Sequence, residues 1–265
     1  MISSIQSSVS ALKAFGKKMG VTSNNIANVN TPGFKSKTGV IQDLPSQAVS
    51  TMAGTAQVGC GAALGGVYSS FDQGFFESTE NTTDMAIGGS GFFVLREEGS
   101  DNLLYSRAGN FRFDRDGYLT NPEGYVVQGW PLDENGAIAG SVRDIRMEAS
   151  QGIDVDVDGI ITGTYSNGEI IPLFQVSLAD FNNPQGLQVE GGNLLSVTRE
   201  SGVAMTNSPG THGLGSIAPN SLEGSNVDLA KEITDTIPTQ TGYEANLTVI
   251  KTRDEMLGMI LDILG

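Results

Sequence analysis

The stretch from Ser225 to Leu264, next to the C-terminus, repeats every seven residues. Leu229, Thr236, Tyr243, Ile250, Leu257 and Leu264 form one row, and Ile233, Gln240, Leu247, Asp254 and Leu261 form a second at the same spacing. Alternating steps of three and four residues place both rows on one stripe of a long helix, as in a coiled-coil seam. The other end of the chain behaves alike: Ile5, Leu12, Met19 and Ile26 are seven apart, with Ile2 and Val9 beside them. A stripe this narrow cannot enclose a globular core. It calls for helix-on-helix packing, within the chain or between copies of it.

Charge separates the two ends. Residues 1–42 hold five lysines and no acid, whereas residues 225–265 hold seven acids and three bases. Opposite signs favour pairing of the end helices, although exposed ion pairs contribute only about 0–1 kcal/mol each. The whole chain is formally −15, which argues against nucleic acid, since phosphate binding needs clustered Lys and Arg.

Cys60 is the only cysteine and His212 the only histidine in 265 residues. Intrachain disulfides and thiolate metal clusters are therefore excluded. The N-terminus lacks a basic segment followed by an apolar one, so no Sec-type signal is expected. No apolar run approaches the ~20 residues of a membrane helix, and an exported chain of this kind would leave without signal cleavage.

In order, residues 2–29 read as a helix that ends in an Asn-rich stretch and Pro32-Gly33, where proline cannot continue it. Residues 33–80, low in charge and rich in Gly, Ala, Ser and Gln, read as an extended connector. From Ala86 to Val197 the period falls to two, and residues 198–224 read as a loop-rich return. Strands are expected at 91–95, 103–107, 110–114, 118–120, 125–130, 170–176 and 194–197, with turns at Asp116-Gly117, Asn135-Gly136 and Asn167-Gly168. That pattern predicts an antiparallel β sandwich or open barrel. The fold class is thus mainly β with α-helical termini: residues 1–32 and 225–265 are read as a helical domain and residues 81–224 as a β-rich one. Ser225 or Asn226 is expected to cap the last helix, with Asp228 near its positive end. Pro238 removes one helical hydrogen bond, at about 3 kcal/mol. It predicts a kink near Thr234–Pro238 or a helix broken in two, with Gly242 a further weak point.

Catalytic chemistry finds little support. A nucleophile–histidine arrangement would have to use His212, which lies in a Gly-rich loop. The glycines from Gly59 to Gly66 lack the spacing and context of a nucleotide loop. Asp154-Val155-Asp156-Val157-Asp158-Gly159 starts like a calcium loop, but its twelfth position is Tyr165 rather than Glu, so a strand ending in a turn is the better reading. No catalytic residue, cofactor or metal is assigned.

Three ordered motifs carry a family resemblance. They are Asn24-Asn25-Ile26-Ala27-Asn28-Val29-Asn30-Thr31-Pro32-Gly33-Phe34-Lys35, then Asp84 to Phe93 continued by Tyr105 to Phe111, then Leu222-Glu223-Gly224-Ser225-Asn226-Val227-Asp228-Leu229 with Tyr243 to Asn246. Together they resemble the bacterial flagellar rod and hook protein family. The resemblance implies terminal helices that pair as the inner domain of a tubular helical homopolymer, and a β domain outside it. It implies termini that fold on assembly, export through the flagellar type III apparatus, and residence in the hook or basal-body rod. Adjacent rod, hook-cap and junction proteins would be neighbours, with no membrane span. The short segment between Phe34 and Phe71 and the stretch Tyr125 to Trp130 look more like the hook, a flexible universal joint, than like the distal rod, a rigid drive shaft. A stalked extracellular binding module and a carboxylate hydrolase are competing readings. The hydrolase reading gives no reason for seven-residue seams at both ends, and the seams together with the three ordered motifs favour the axial subunit.

Overall fold

A computed structural model describes residues 2–51, 54–97, 99–147, 152–165 and 168–264. The chain divides into two compact units, one of Met1–Val29, Ser36–Ser70 and Val227–Gly265, the other of Asn30–Lys35 and Phe71–Asn226.

The first unit is built on two helices, α1 (Ile2–Ala27) and α2 (Leu229–Leu264). Helix α1 closes on its asparagines: the Asn28 amide side chain donates to the Asn24 carbonyl at 2.9 Å, satisfying one of the acceptors that a helix end leaves open. Helix α2 is capped by Asp228, whose Oδ1 accepts from the backbone N–H of Ala230 at 2.9 Å and of Lys231 at 3.3 Å. The cap is therefore Asp228 rather than Ser225 or Asn226, because the helix begins at Leu229.

Helix α2 is also unbroken, running 36 residues through Pro238. The predicted division into two helices does not occur. Pro238 is on an exposed face and forfeits a single backbone bond. The threonines around it, Thr234, Thr236, Thr239 and Thr241, each donate a hydroxyl to the carbonyl four residues back. That habit satisfies the side chain inside a helix and tends to bend it.

The stretch read as a connector is ordered into ribbons. Lys37–Asp43 pairs antiparallel with Ala62–Ser69, with a register shift between Val40 and Ile41, and Gln47–Thr51 pairs with Gly54–Val58. The first ribbon lies against α1: the Ser10 hydroxyl accepts from Ala62 N–H at 3.2 Å. Cys60, beside it, is half-buried. The stretch is extended, as its sequence suggests, but paired into antiparallel ribbons.

The second unit is an antiparallel β domain. Its largest sheet has 13 strands among the described residues, and its main path runs from Gly152–Val155 through Ile160–Thr164, Ile170–Val176, Val126–Pro131, Phe92–Arg96 and Leu103–Ser106 to Leu194–Ser196 and Gln188–Gly191. The sheet does not close on itself. Alternate residues of Phe92–Arg96 feed two cores. Phe93 and Leu95 join Phe111, Val127, Ile145, Ile161 and Leu178, whereas Phe92 and Val94 join Tyr105, Phe181 and Leu187. A period of two puts these sets on opposite faces, so this strand is covered on both sides. Gly117 and Gly136 take positive φ in the predicted turns. Asn167 of the third turn lies outside the described residues, and Gly168 beside it has φ +80°. Residues 154–159 form the predicted strand and turn: Gly152–Val155 leads into a turn at Gly159, φ +70°.

Candidate assembly site

The signature residues gather at two junctions, one in each unit. In the helical unit, Asn25 is fully buried, and its side-chain amide donates to the Lys37 carbonyl at 2.7 Å and to Glu232 Oε1 at 2.8 Å. Its Oδ1 accepts from Lys37 N–H at 2.9 Å. One side chain thereby ties α1 to both the first ribbon strand and α2. Further along, the Phe15 ring rests on Gly242: a Cβ there would lie 2.7 Å from the ring. Gly242 is therefore a site of close helix approach rather than a weak point.

These two contacts fix the pairing. Ten residues back along α1, from Asn25 to Phe15, correspond to ten residues forward along α2, from Glu232 to Gly242. The helices are antiparallel with equal rise. Continuing that register brings Ile2 beside Glu255, so Met256–Leu264 runs on past the start of α1.

The face that α2 turns inward is not the apolar one. Its half-buried and buried positions are Glu232, Thr236, Thr239, Gly242, Asn246, Ile250 and Arg253, of which Thr239 is 3% exposed. Leu229, Ile233, Tyr243, Leu247 and Leu257 are all exposed, Ile233 at 57%. On α1, Ile5 and Ile26 are exposed, and Leu12 and Met19 are half-buried. Of the predicted seam, then, only Thr236 and Ile250 fall on the inward face of α2. Leu261 and Leu264 are in α2, with side chains outside the described set. Pro238 is exposed. Small residues let two backbones approach closely, which explains why the intrachain face is threonine- and glycine-rich.

In the β unit the junction is a buried carboxylate. Glu223 Oε1 accepts from Lys35 Nζ at 2.7 Å and from the backbone N–H of Gly74 at 2.9 Å, and Oε2 accepts from an Arg107 guanidinium N–H at 3.3 Å. The Glu223 side chain is 0% exposed. Lys35 Nζ also donates to the Asp72 carbonyl, and Arg107 donates to the Gly89 carbonyl while its guanidinium covers the Phe92 ring. Burial, only partly offset by Glu223, holds both the Lys35 amine and the Arg107 guanidinium below their ordinary pKa values.

The backbone is laced around this triad. Gly33 N–H donates to the Glu223 carbonyl at 2.7 Å. Gly33 has φ +69°, and a Cβ there would lie 2.4 Å from the Ala108 nitrogen, so no other residue fits. Pro32 O accepts from the Asn193 amide side chain, and Asn226 donates its side-chain N–H to the Asp72 carbonyl. Phe34 and Ser225 are buried, and Thr31 and Val227 half-buried. The three sequence motifs thus meet: the first supplies Gly33 and Lys35, the second Arg107, the third Glu223. Their charged members carry the geometry, and sequence reasoning passed over them as part of a signature. The available signal was that Lys35 and Arg107 are the lone cations of the first and second motifs, with Glu223 among the few carboxylates of the third.

Comparison with known proteins matches all three motif regions. Residues 5–35 match the flagella basal body rod protein family, residues 86–163 the flagellar hook protein FlgE/F/G D1 domain, and residues 218–263 the flagellar basal body rod FlgEFG protein C-terminal family. The flagellar basal-body rod protein FlgG of Bacillus subtilis is 35% identical over 99% of this chain and 99% of its own length. FlgG of Caulobacter vibrioides is 34% identical over 96% of each. The flagellar hook protein FlgE of Helicobacter pylori is 37% identical over 61% of this chain but 21% of its own length. The chain belongs to the bacterial flagellar rod/hook protein family. A rod/hook protein is a structural, non-catalytic subunit of the flagellar axial tube, and it resides in the periplasmic or extracellular part of the flagellum. No described helix is long and apolar enough to cross a membrane.

Proposed function

We propose that this rod/hook protein is a distal-rod subunit, a segment of the flagellar drive shaft, rather than the hook subunit that its short connector and its Tyr125 to Trp130 stretch favour. The observation carrying this is length: rod proteins match the chain from end to end, whereas the hook protein matches it over about a fifth of itself. The open β domain has no inserted outer domain of the kind that lengthens hooks.

The chain acts as a helical homopolymer. The apolar row left exposed on α2 and the run-on of Met256–Leu264 are the surfaces that neighbouring copies cover. Burying a Leu, Ile or Met side chain contributes about 1.5–3 kcal/mol, so several half-exposed ones per subunit outweigh the entropy of ordering helix ends only in the polymer. Contacts of this kind are heterologous and propagate. Residues 1–32 and 225–265 form the inner polymerisation domain, neighbouring rod, hook-cap and junction proteins continue the tube, and the type III apparatus exports the chain. Basal bodies isolated from a deletion strain test the rod assignment. A rod that stops short of its distal end supports it, and a full-length rod lacking only the hook overturns it.

A further inference from the structure

The β domain carries a second concentration of charge, opposite in sign to the molecule. Three of the eight arginines of a chain with formal charge −15, Arg96, Arg143 and Arg146, line one cleft of about 440 Å³. Among the described residues its only carboxylate is Asp144, which is already engaged by the Arg96 guanidinium and the Gln128 side-chain amide. Arg143 lies over the Phe174 ring at 5.4 Å and Arg146 over the Tyr118 ring at 5.3 Å. Arg146 donates its Nε–H to the Asp116 carbonyl. Among the described residues neither of these two guanidiniums has a carboxylate partner. Stacking fixes their planes while leaving N–H edges free, the arrangement that receives carboxylates in bidentate fashion.

The same domain presents the complementary shape. Asp154, Asp156 and Asp158 are exposed at alternate positions leading into the Gly159 turn, with Val157 also exposed at 52%. We propose that the arginine cleft of one subunit receives the Asp156–Asp158 turn of a second copy, a lateral contact between β domains in the assembled tube. Among the described residues the cleft keeps two cations without a carboxylate partner, the turn offers the carboxylates of Asp156 and Asp158 with Asp154 in the strand before it, and two different patches on one molecule make a contact that repeats without closing. This inference rests on the axial-polymer reading.

Charge reversal tests it in the full-length chain. Wild type, R143E/R146E and D156K/D158K are followed by sedimentation velocity across concentration at low and high salt. Each variant alone opposes like charges and associates about tenfold more weakly than wild type at low salt. An equimolar mixture restores association, because each variant then finds its complement in the other. Variants that associate like wild type, or a mixture no stronger than its components, overturn the contact. If both variants also form undiminished tubes, the axial reading stands and this contact falls. A wild-type chain that is monomeric at every concentration overturns both. A second arm is independent of variant folding. In a C60S background, R143C and D156C chains are mixed with a short bis-maleimide. A crosslinked heterodimer is expected, and its absence overturns the proposal.

Discussion

Replacing Glu223 by Gln removes one negative charge from a deeply buried site and leaves two cations facing each other. The side-chain exposures are 7% for Lys35, 5% for Arg107 and 0% for Glu223. Breaking a buried pair from one side costs about 3–5 kcal/mol, because the remaining charge is left desolvated. Here the amide also turns its N–H groups toward Lys35 Nζ and the Gly74 N–H together or, flipped, toward the Arg107 guanidinium, all of them donors. Against a typical total of about 5–15 kcal/mol the loss is large. Trp130, the only tryptophan, lies in the strand Val126–Pro131 of the same unit and reports unfolding by fluorescence. With a urea slope of about 2 kcal/mol/M, E223Q lowers the midpoint by about 1.5–2.5 M without changing the slope. Lys35→Met lowers it less, since Glu223 keeps Arg107 and Gly74. The double variant K35M/E223Q falls short of the sum, as groups in one network must. A midpoint shift in E223Q below about 0.5 M, or strict additivity in the cycle, would refute the view that this carboxylate organises the junction.

Three further outcomes follow from single contacts. Gly33→Ala places a Cβ against the Ala108 backbone at a φ of +69°; it costs at least about 2 kcal/mol, read as a lower melting temperature of the β unit. Asn25→Ala strips both backbone groups of Lys37 of their side-chain partner and frees Glu232; a loss of about 2–3 kcal/mol speeds hydrogen exchange in both the Lys37–Asp43 strand and the first turns of α2. Pro238→Ala returns an N–H to the Thr234 carbonyl within an unbroken helix; amide exchange in α2 slows by up to about 100-fold, the equivalent of about 3 kcal/mol, and unchanged exchange would refute the view that Pro238 weakens the helix.

Helix existence and type were legible because a seven-residue rhythm survives any context. The Leu229 to Leu264 and Ile5 to Ile26 rows do lie on helices. Which face meets the partner helix was not legible, since hydrophobicity marks the surface with most to gain from burial. In the single chain that surface stays exposed, and Thr236, Thr239 and Gly242 make the close approach instead. The β strands were readable from alternation, as Phe92–Arg96 and Ile170–Val176 illustrate. The ribbon of Lys37–Asp43 and Ala62–Ser69 was not, because small residues packed on α1 carry no strong period. The unbroken passage through Pro238 escaped for another reason: local propensity priced one lost bond but not the packing of a 36-residue helix around it. Lys35, Arg107 and Glu223 are distant in sequence, and only the fold brings their charges together.

The central claim is that the terminal helices hold a surface meant for other copies of the chain. Limited proteolysis of the purified monomer with mass readout, set beside electron microscopy of concentrated protein, tests it most directly, with Leu257→Asp as the control. The account predicts loss of about the first 30 and last 40 residues from the monomer, because exposed helices with few buried contacts open readily. It predicts a resistant β core, tubes from intact wild type, and none from Leu257→Asp. Protease-resistant termini in a monomer that never polymerises, or normal tubes from Leu257→Asp, would contradict it.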